Sequence, residues 1–543
     1  MDTYGAANAE NLKQAIDDVF IKAIKLSEEQ YSNALISAAA DGASVNTGVY
    51  SGLLARLSQT RPWMVNIHCI SHRIELAVKD AMLDTKRSKA FSDVQQFMIT
   101  LYYLFKKSPK VSRHLHSTAE ALDVQVYKVK KVHGTRFVCH QLLGLQSLIN
   151  DWVVLALSVE NSLASKNKTT TQLPGILQKL RNVTFLVTCC YFKNVLDAIT
   201  PLSLSFQRGD IMAYEVLYQV QRTQSRIQDL IDEEAISVKG ILSSIGNEYD
   251  ETELTISRSL PKQGHTRRNI VNREYNKVSY TNMFKPTGAI EAVKSIKEKV
   301  LPELLKCMVT RFSSFDADIY RHMQWLDPAN WDEDDVTAEV KPLLQLASHF
   351  QERKMHEIDY FAVKREWKDL RNAVKHFYIN LQMKQLWQKI MTYRRTDFPN
   401  ICRLVEIVFC NGPSNSTVEA GFSHLTAMLS DRRLSLSHKT MEDLLLLKVN
   451  HHIFTDTEQE KIIISALDSF LSTKKRKLKL DNTHQTKQPC MDLDIDDDIG
   501  VHFGVEVEQL EDDDMFIDNT EDCELDYFSE SEPEECFEVE TAE

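Results

Sequence analysis

Two stretches near the amino terminus decide the fold: "ISAAADGASVNTG" at residues 36–48 and "WMVNIHCISHRIELAV" at residues 63–78. Each opens with a short apolar run of strand length, and the first breaks at Asp41-Gly42, a typical turn. "LLARL" between them and the residues after Cys69 have helical spacing, with Ser71 placed as a helix cap. This order predicts a strand at 34–40, a loop leading into a helix, a second strand at 63–69 and further helices.

Asp41 has two interpretations. A carboxylate at the end of a buried strand, beside small residues, is a common metal ligand. An acid before Gly42 is also an ordinary turn residue, and on the residues alone the turn is favoured. Cys69 and His72 form a Cys-x-x-His pair, but a zinc site needs two further ligands, for which Cys139 and His140 are the candidates. A packing role for the pair is the stronger interpretation.

The composition is that of a globular protein, with 543 residues, 43% hydrophobic and 26% charged. We find no uninterrupted apolar stretch of membrane-spanning length and no leader sequence, and so expect no membrane association. None of the ten cysteines forms a Cys-x-x-Cys pair. Reduced thiols in the cytosol or nucleus are therefore expected.

The charge is unevenly distributed. Residues 481–543 hold 24 acidic residues against one basic residue, so the whole-chain charge of −13 leaves residues 1–480 at +10. The acidic segment has no periodic apolar face, and we expect a disordered tail.

Beyond residue 110 the periodicity is helical up to about 400, with few strands, which favours a large helical insertion over a repeat array. After 400 the sequence changes to "SNSTVEAGFSHLTAMLSDRRLSLSHKTMEDLLLLKVN" (414–450). Four consecutive leucines cannot share one narrow core, so this last helix should be covered on more than one side. Self-association would provide the second side.

This block, from about 401 to 452, resembles the C-terminal dimerisation region of the hAT transposase superfamily and its domesticated members. The resemblance extends to Asp41, Asn46 and the Cys-x-x-His pair, and to "HGTRF" at 133–137. It implies a ribonuclease-H-like core in which three acids bind two divalent metals, such as Mg²⁺, for strand cleavage. Asp41 corresponds to the second acid and Glu419 to the third. Glu419 has an alternative interpretation as a first-turn acid that meets a helix dipole.

The resemblance also shows departures. The first acid should precede Asp41 by several dozen residues, but only 40 residues precede it and the earliest have helical spacing. The DNA-binding zinc finger of the family has no counterpart, and Ala420 follows Glu419 where the family often has arginine. We therefore expect a catalytically inactive descendant, or a fragment of a longer product. We expect it to need no cofactor, with Mg²⁺ required if any activity remains.

Three further segments suggest partners. The basic loop with Arg258, Lys262, Arg267 and Arg268 could contact phosphates of nucleic acid. Residues 472–481, "STKKRKLKLD", read as a nuclear localisation signal, formed by Lys474, Lys475, Arg476, Lys477 and Lys479. Residues 499–514 alternate valine and phenylalanine before an acidic run, a pattern that could bind a small ubiquitin-like modifier as an added strand. The respective alternatives are a solvent-exposed surface loop without a ligand, a basic run that only increases solubility, and an apolar patch in a disordered tail without a specific partner.

Together these features predict an α+β protein, mostly α, with an incomplete ribonuclease-H-like core (1–110), a helical insertion (111–400), a C-terminal dimerisation region that completes the core (401–455), a helix and basic linker (456–480) and a disordered acidic tail (481–543). The expected function is a nuclear, transposon-derived homodimer or larger homo-oligomer without transposition. The alternatives are a residual metal-dependent transposase or nuclease and an adaptor in the small-modifier pathway. Residues predicted to form the dimer contact are Phe422, Leu444, Leu445, Leu446, Leu447 and Val449.

Overall fold

The computed structural model is mostly helical, with a small two-stranded parallel sheet near the amino terminus. It describes residues 8–84, 86–127, 129–130, 132, 136–164, 172–233, 238, 254–257, 277–280, 286–331, 336–353, 358–429, 436–450 and 453–472.

The first half of the chain places the strands among short helices and then builds a helical body. In order its elements are α1 (Ala9–Asp18), α2 (Glu28–Ala34), β1 (Ser37–Ala40), α3 (Ser44–Thr47), α4 (Leu53–Ser58), β2 (Val65–His68), α5 (Ile70–Met82), α6 (Ala90–Lys107), α7 (Pro109–Ala121), α8 (Phe137–Asn150), α9 (Trp152–Ala164), α10 (Leu173–Leu180), α11 (Val183–Gln207) and α12 (Val216–Asp232).

The described residues of the second half are also mostly helical, apart from one antiparallel strand pair. Its elements are β3 (Leu254–Ser257), β4 (Lys277–Tyr280), α13 (Pro286–Lys299), α14 (Leu301–Phe312), α15 (Asp318–Met323), α16 (Val336–Glu352), α17 (Tyr360–Phe377), α18 (Met383–Tyr393), α19 (Pro399–Cys410), α20 (Ser416–Met428), α21 (His438–Asn450) and α22 (Asp456–Ser472). Strands β3 and β4 pair antiparallel, with Leu254 opposite Tyr280.

The first two strands lie within the ranges predicted from the sequence, although β1 begins only at Ser37 because Ala34 still belongs to α2. They pair in parallel, with Ser37 opposite Val65 and Ala40 opposite His68. The connection through α3 and α4 is a crossover, as parallel pairing requires. The prediction that Ser71 caps α5 is wrong, because Cys69 occupies the cap position and makes no side-chain cap bond. The Ser71 hydroxyl instead donates to the Phe206 carbonyl of α11 at 2.7 Å.

One continuous apolar core joins the strands to the helices. It includes Ile67 of β2, Ile74 of α5, Phe192 of α11 and Leu404 of α19, all at most 1% exposed. By length and composition alone α11 could cross a membrane, but 61% of its most apolar window is buried in this core. The burial is that expected of the central helix of a globular body.

The contacts divide the chain into two units, Met1–Thr417 and Val418–Glu543. The first contains the core, including α19, which buries Ile401, Leu404 and Val408. The second contains α20 beyond its first two residues, α21 and α22. The first part of the predicted dimerisation region, up to Thr417, therefore belongs to the first unit.

Candidate functional site

Asp41 lies directly after β1, at the carboxyl end of the parallel pair. Its Oδ1 accepts hydrogen bonds from the Ala43 amide at 3.0 Å and from the Asn46 side chain at 2.8 Å. Ala43 precedes the short helix α3 and Asn46 lies within it. The carboxylate is thus held by its own turn, as the turn interpretation requires, and Asn46 is its closest side-chain partner.

Two histidines stand next to this turn. His68 ends β2 and His72 lies in the first turn of α5, with their ring centroids 5.8 Å apart. The missing side chain of Gly42 leaves room for them, because a Cβ built on Gly42 would lie 2.7 Å from His68 Nε2. That nitrogen is buried and has no hydrogen-bond partner among the described residues. The loop residue Gly42 therefore sets how closely Asp41 and the imidazoles approach.

The electrostatics of the site favour an ionised acid and neutral imidazole. Burial alone would raise the pKa of Asp41, but hydrogen bonds from Asn46 and the Ala43 amide, with His72 and His68 nearby, hold that pKa below its usual value. Burial, with a smaller contribution from the neighbouring Arg73 guanidinium, lowers the pKa of His68 to about 4. At neutral pH Asp41 is therefore charged and His68 is neutral.

Arg73 links the end of β2, next to His68, to residues near the end of α14. Its guanidinium donates to the His68 carbonyl at 3.0 Å and to Ser314 Oγ at 2.8 Å, and also to the Arg311 carbonyl. The guanidinium carbon lies 5.3 Å from the centre of the Phe315 ring. These contacts join the end of β2 to α14 and the turn after it, so a segment far along the chain positions His68.

The Cys69 side chain is buried and makes structural contacts. Its thiol donates to the Asn415 side-chain oxygen at 2.7 Å, and the Asn415 amide points to the same sulfur at 3.4 Å. The backbone of Ile70 donates to the Pro413 carbonyl at 3.0 Å. The loop after α19 is therefore bound to the start of α5, and the structural interpretation of the Cys-x-x-His pair is favoured.

The donor atoms at this site do not fit Mg²⁺. Magnesium prefers an octahedron of oxygen ligands, whereas the side chains closest to Asp41 are the amide of Asn46 and two imidazoles. In the described part of the chain, no group of three or more His, Cys, Asp or Glu side chains is placed to hold a metal ion. The arrangement suits hydrogen bonding and charge pairing better than coordination of a hard cation.

Glu419 lies in the second unit, whereas Asp41 lies in the first. It occupies the first turn of α20, where a negative charge meets the positive end of the helix dipole. Its backbone carbonyl accepts a hydrogen bond from Ser423 Oγ at 3.1 Å. This placement agrees with the interpretation of Glu419 as a first-turn acid.

The predicted dimer contact residues are exposed to a large extent in the single chain. The exposed fractions are 63% for Phe422, 55% for Leu446 and 52% for Leu447, while Leu444 and Val449 are just under 40% exposed. Leu445 is partly buried. Helix α21 buries none of its residues, so the described part of the chain covers its leucines only in part.

The other predicted sites lie outside the described residues. This applies to Arg258, Lys262, Arg267 and Arg268, to the basic cluster from Lys474 to Lys479, and to the acidic tail with its alternating segment. For these the sequence-based predictions stand as predictions.

Sequence reasoning missed the role of His68, Arg73 and Glu75. Glu75 is buried in α5, where it accepts hydrogen bonds from the Val138 amide at 2.9 Å and from Ser203 Oγ at 3.2 Å. Burial raises the pKa of Glu75 to about 7, although these bonds and nearby Lys79 oppose the change. The available signal was a glutamate among the apolar positions of a helix, where a buried acid needs partners.

No protein-family model matches the chain.

Proposed function

We propose that this protein is a transposon-derived nuclear protein that pairs with a second copy through α20 and α21 and has no transposition activity. The observation that carries the proposal is the exposure of Phe422, Leu446 and Leu447. Large apolar side chains facing water on neighbouring helices are typical of a surface that another protein covers. Because the leucines of α21 point in several directions, one partner helix could cover one side while α20 or α22 covers another.

The transposon-derived part of the proposal rests on the sequence resemblance and on the strand pair. Strands β1 and β2 are parallel, are joined by a helical crossover, and have an acid at the carboxyl end of β1. We propose that they are the remnant of a ribonuclease-H-like core and that the following helices are an insertion into it. The hydrogen bonds between the Pro413–Asn415 loop and the start of α5 support the proposal that residues after 400 complete this core.

The absence of transposition is supported by the chemistry around Asp41. Its nearest neighbours are an amide and imidazoles, which are poor ligands for Mg²⁺. A purified full-length chain should therefore not nick supercoiled DNA in Mg²⁺ or Mn²⁺. Nicking that requires the metal and disappears in Glu419→Ala would instead establish the nuclease alternative.

Pairing can be tested in cells with two differently tagged full-length copies. We expect the second copy to co-purify with the first, and the double variant Leu446→Asp, Leu447→Asp in both copies to abolish this. The matched control is Ile290→Asp, Val309→Asp, which changes two side chains on first-unit helices that are 52% and 59% exposed. Co-purification that survives the leucine changes, or is lost equally in the control, contradicts the proposal.

The nuclear part has its own test. A fluorescent fusion of the full chain should accumulate in the nucleus, and replacing Lys474, Lys475, Arg476 and Lys477 by alanine should leave it in the cytoplasm. Nuclear accumulation that does not change in this variant would remove the assigned signal.

A further inference from the structure

Two hydroxyl side chains in the sequence are followed directly by proline, in the pairs Ser108-Pro109 and Thr200-Pro201. Proline has no backbone N–H and holds the residue before it in an extended conformation. Proline-directed serine/threonine kinases select an acceptor with these properties at the next position. A pair of residues is a short motif, so the fold decides which of the two hydroxyls a kinase can reach.

Thr200 is closed to a kinase in the folded chain. It lies inside α11, is 5% exposed, and its hydroxyl donates to the Leu196 carbonyl at 2.8 Å. Pro201 also lies within this helix. The pair therefore serves as an internal control for the other one.

Ser108 has the opposite environment. It is the single residue between α6, which ends at Lys107, and α7, which begins at Pro109. It is partly exposed, Pro109 and Lys110 after it are exposed, and its φ of −127° and ψ of 88° are not helical. Its hydroxyl accepts from the Val111 amide at 3.4 Å, longer than an ordinary N–H···O bond. The acceptor oxygen is thus reachable and only weakly held.

The position also suits the phosphorylated product. Lys107 precedes Ser108 and Lys110 follows two residues later, both with exposed side chains. The first turn of α7 contains no acidic residue. A phosphoserine carries a charge of about −1.5 to −2, which is favourable at the positive end of a helix and close to lysine. Phosphate on Ser108 would therefore stabilise the start of α7.

We propose that Ser108 is a phosphorylation site for a proline-directed serine/threonine kinase. In this reaction the Ser108 Oγ forms a bond to the γ-phosphorus of ATP, and the bond from that phosphorus to the bridging oxygen breaks. ADP leaves, and the hydroxyl proton passes to the catalytic carboxylate of the kinase. The site lies in the first unit and is independent of pairing through α20 and α21.

The test uses the intact chain, purified from bacteria, with ATP, Mg²⁺ and a mitogen-activated protein kinase, which is proline-directed. Tandem mass spectrometry locates the phosphate and follows the rate of its incorporation. Pro109→Ala removes the recognised proline but keeps the acceptor. The matched control is Ser117→Ala, which removes an exposed hydroxyl of α7 that no proline follows. A synthetic peptide of residues 102–114 presents the same acceptor outside the fold.

We expect phosphate on Ser108 of the intact chain, labelling more than about tenfold slower in Pro109→Ala, and no change in Ser117→Ala. An intact chain without phosphate on Ser108 overturns the proposal, and a labelled peptide beside it would show that the fold closes the site. Labelling that does not depend on Pro109, or equal labelling of Thr200, overturns it as well.

The effect on α7 has a separate measurement. Hydrogen exchange at the amides of the first turn of α7 should slow by roughly two- to fivefold on phosphorylation, as expected for a negative charge at a helix start. The slowing should be smaller in Lys110→Ala, which removes a neighbouring cation. Unchanged exchange in the phosphorylated chain overturns the assigned stabilisation of α7.

Discussion

The two units of this chain differ in how far their large apolar side chains are buried. In the first unit Trp152, Trp367 and Trp387 are each at most 1% exposed, and the helices share a continuous core. From Val418 onward, no described side chain is buried. Helix α22 repeats the pattern of α21, with Ile463 and Leu467 more than half exposed.

This difference has a physical consequence. Isolated helices of this length are marginal in water, and most helical stability in proteins comes from packing an apolar face. The first unit provides that packing for its own helices, whereas α20–α22 present leucine, isoleucine and phenylalanine to solvent. Among the described residues of the second unit that packing is missing, and we expect a second copy to supply it.

The largest expected effect tests the buried charge pair of the first unit. Arg371 and Glu339 are almost fully buried and lie 3.0 Å apart, and Trp367 Nε1 donates to the same carboxylate at 2.8 Å. Arg371→Ala leaves a buried acid without its cation and should cost about 3–5 kcal/mol of unfolding free energy, measured by urea denaturation. The exposed pair Arg181–Glu160 supplies the control, since Arg181→Ala should cost no more than about 1 kcal/mol. Equal losses of unfolding free energy in the two variants would contradict the claim that the first unit is stabilised by its own buried contacts.

The next prediction makes the same substitution in both units. Leu404 of α19 is fully buried, so Leu404→Ala should lower the unfolding free energy by about 2–5 kcal/mol at every protein concentration. Leu446 is half exposed, and Leu446→Ala should leave the unfolding of the first unit unchanged but weaken self-association on dilution. Denaturation curves at two protein concentrations, with sedimentation for the association, separate these effects. A concentration-independent loss of several kcal/mol for Leu446→Ala would place that side chain in a core instead.

The buried Glu75 should make the unfolding free energy of the first unit depend on pH. Its pKa is about 7 in the folded chain and lies near 4.5 in the unfolded one. The folded state therefore binds a proton more tightly, and the stability this provides at low pH is lost as pH rises from about 4.5 through 7. Relative to Glu75→Gln, the intact chain should lose up to about 3 kcal/mol between pH 5 and pH 8. Parallel pH profiles for the two proteins would refute a buried, proton-linked Glu75.

The smallest expected effect concerns the site at the strand ends. Gly42→Ala brings a methyl group against the His68 imidazole, which must move, at a cost of about 1 kcal/mol. The displaced ring should be better solvated, so the pKa of His68 should rise from about 4 toward its usual value. Histidine titration by NMR measures both proteins, with Gly175→Ala, whose added Cβ meets no atom within 4 Å, as control. A His68 pKa that is the same in Gly42→Ala would show that the loop does not shield the ring.

The sequence predicted local features better than long-range ones. The two short strands and the helix that begins after Cys69 were predicted correctly, because apolar periodicity and turn residues depend on neighbours only a few positions away. Helix α2, which ends inside the range predicted as the first strand, was missed. The cap assignment to Ser71 failed because its hydroxyl bonds to Phe206, 135 residues away. The low pKa of His68 depends on burial and on the nearby Arg73 and Arg311, the latter from α14. The raised pKa of Glu75 depends on burial in the core, against the opposing hydrogen bonds from Val138 and Ser203. Such partners come together only through tertiary packing, which periodicity does not encode.

The most direct test of the central claim is the absolute mass of the full chain in solution, measured by size-exclusion chromatography with light scattering over a range of concentrations. The account predicts the mass of two chains or more for the intact protein, and the mass of one folded chain for Leu446→Asp, Leu447→Asp. A single-chain mass for the intact protein at every concentration, or an unchanged assembly in the variant, would contradict pairing through α20 and α21.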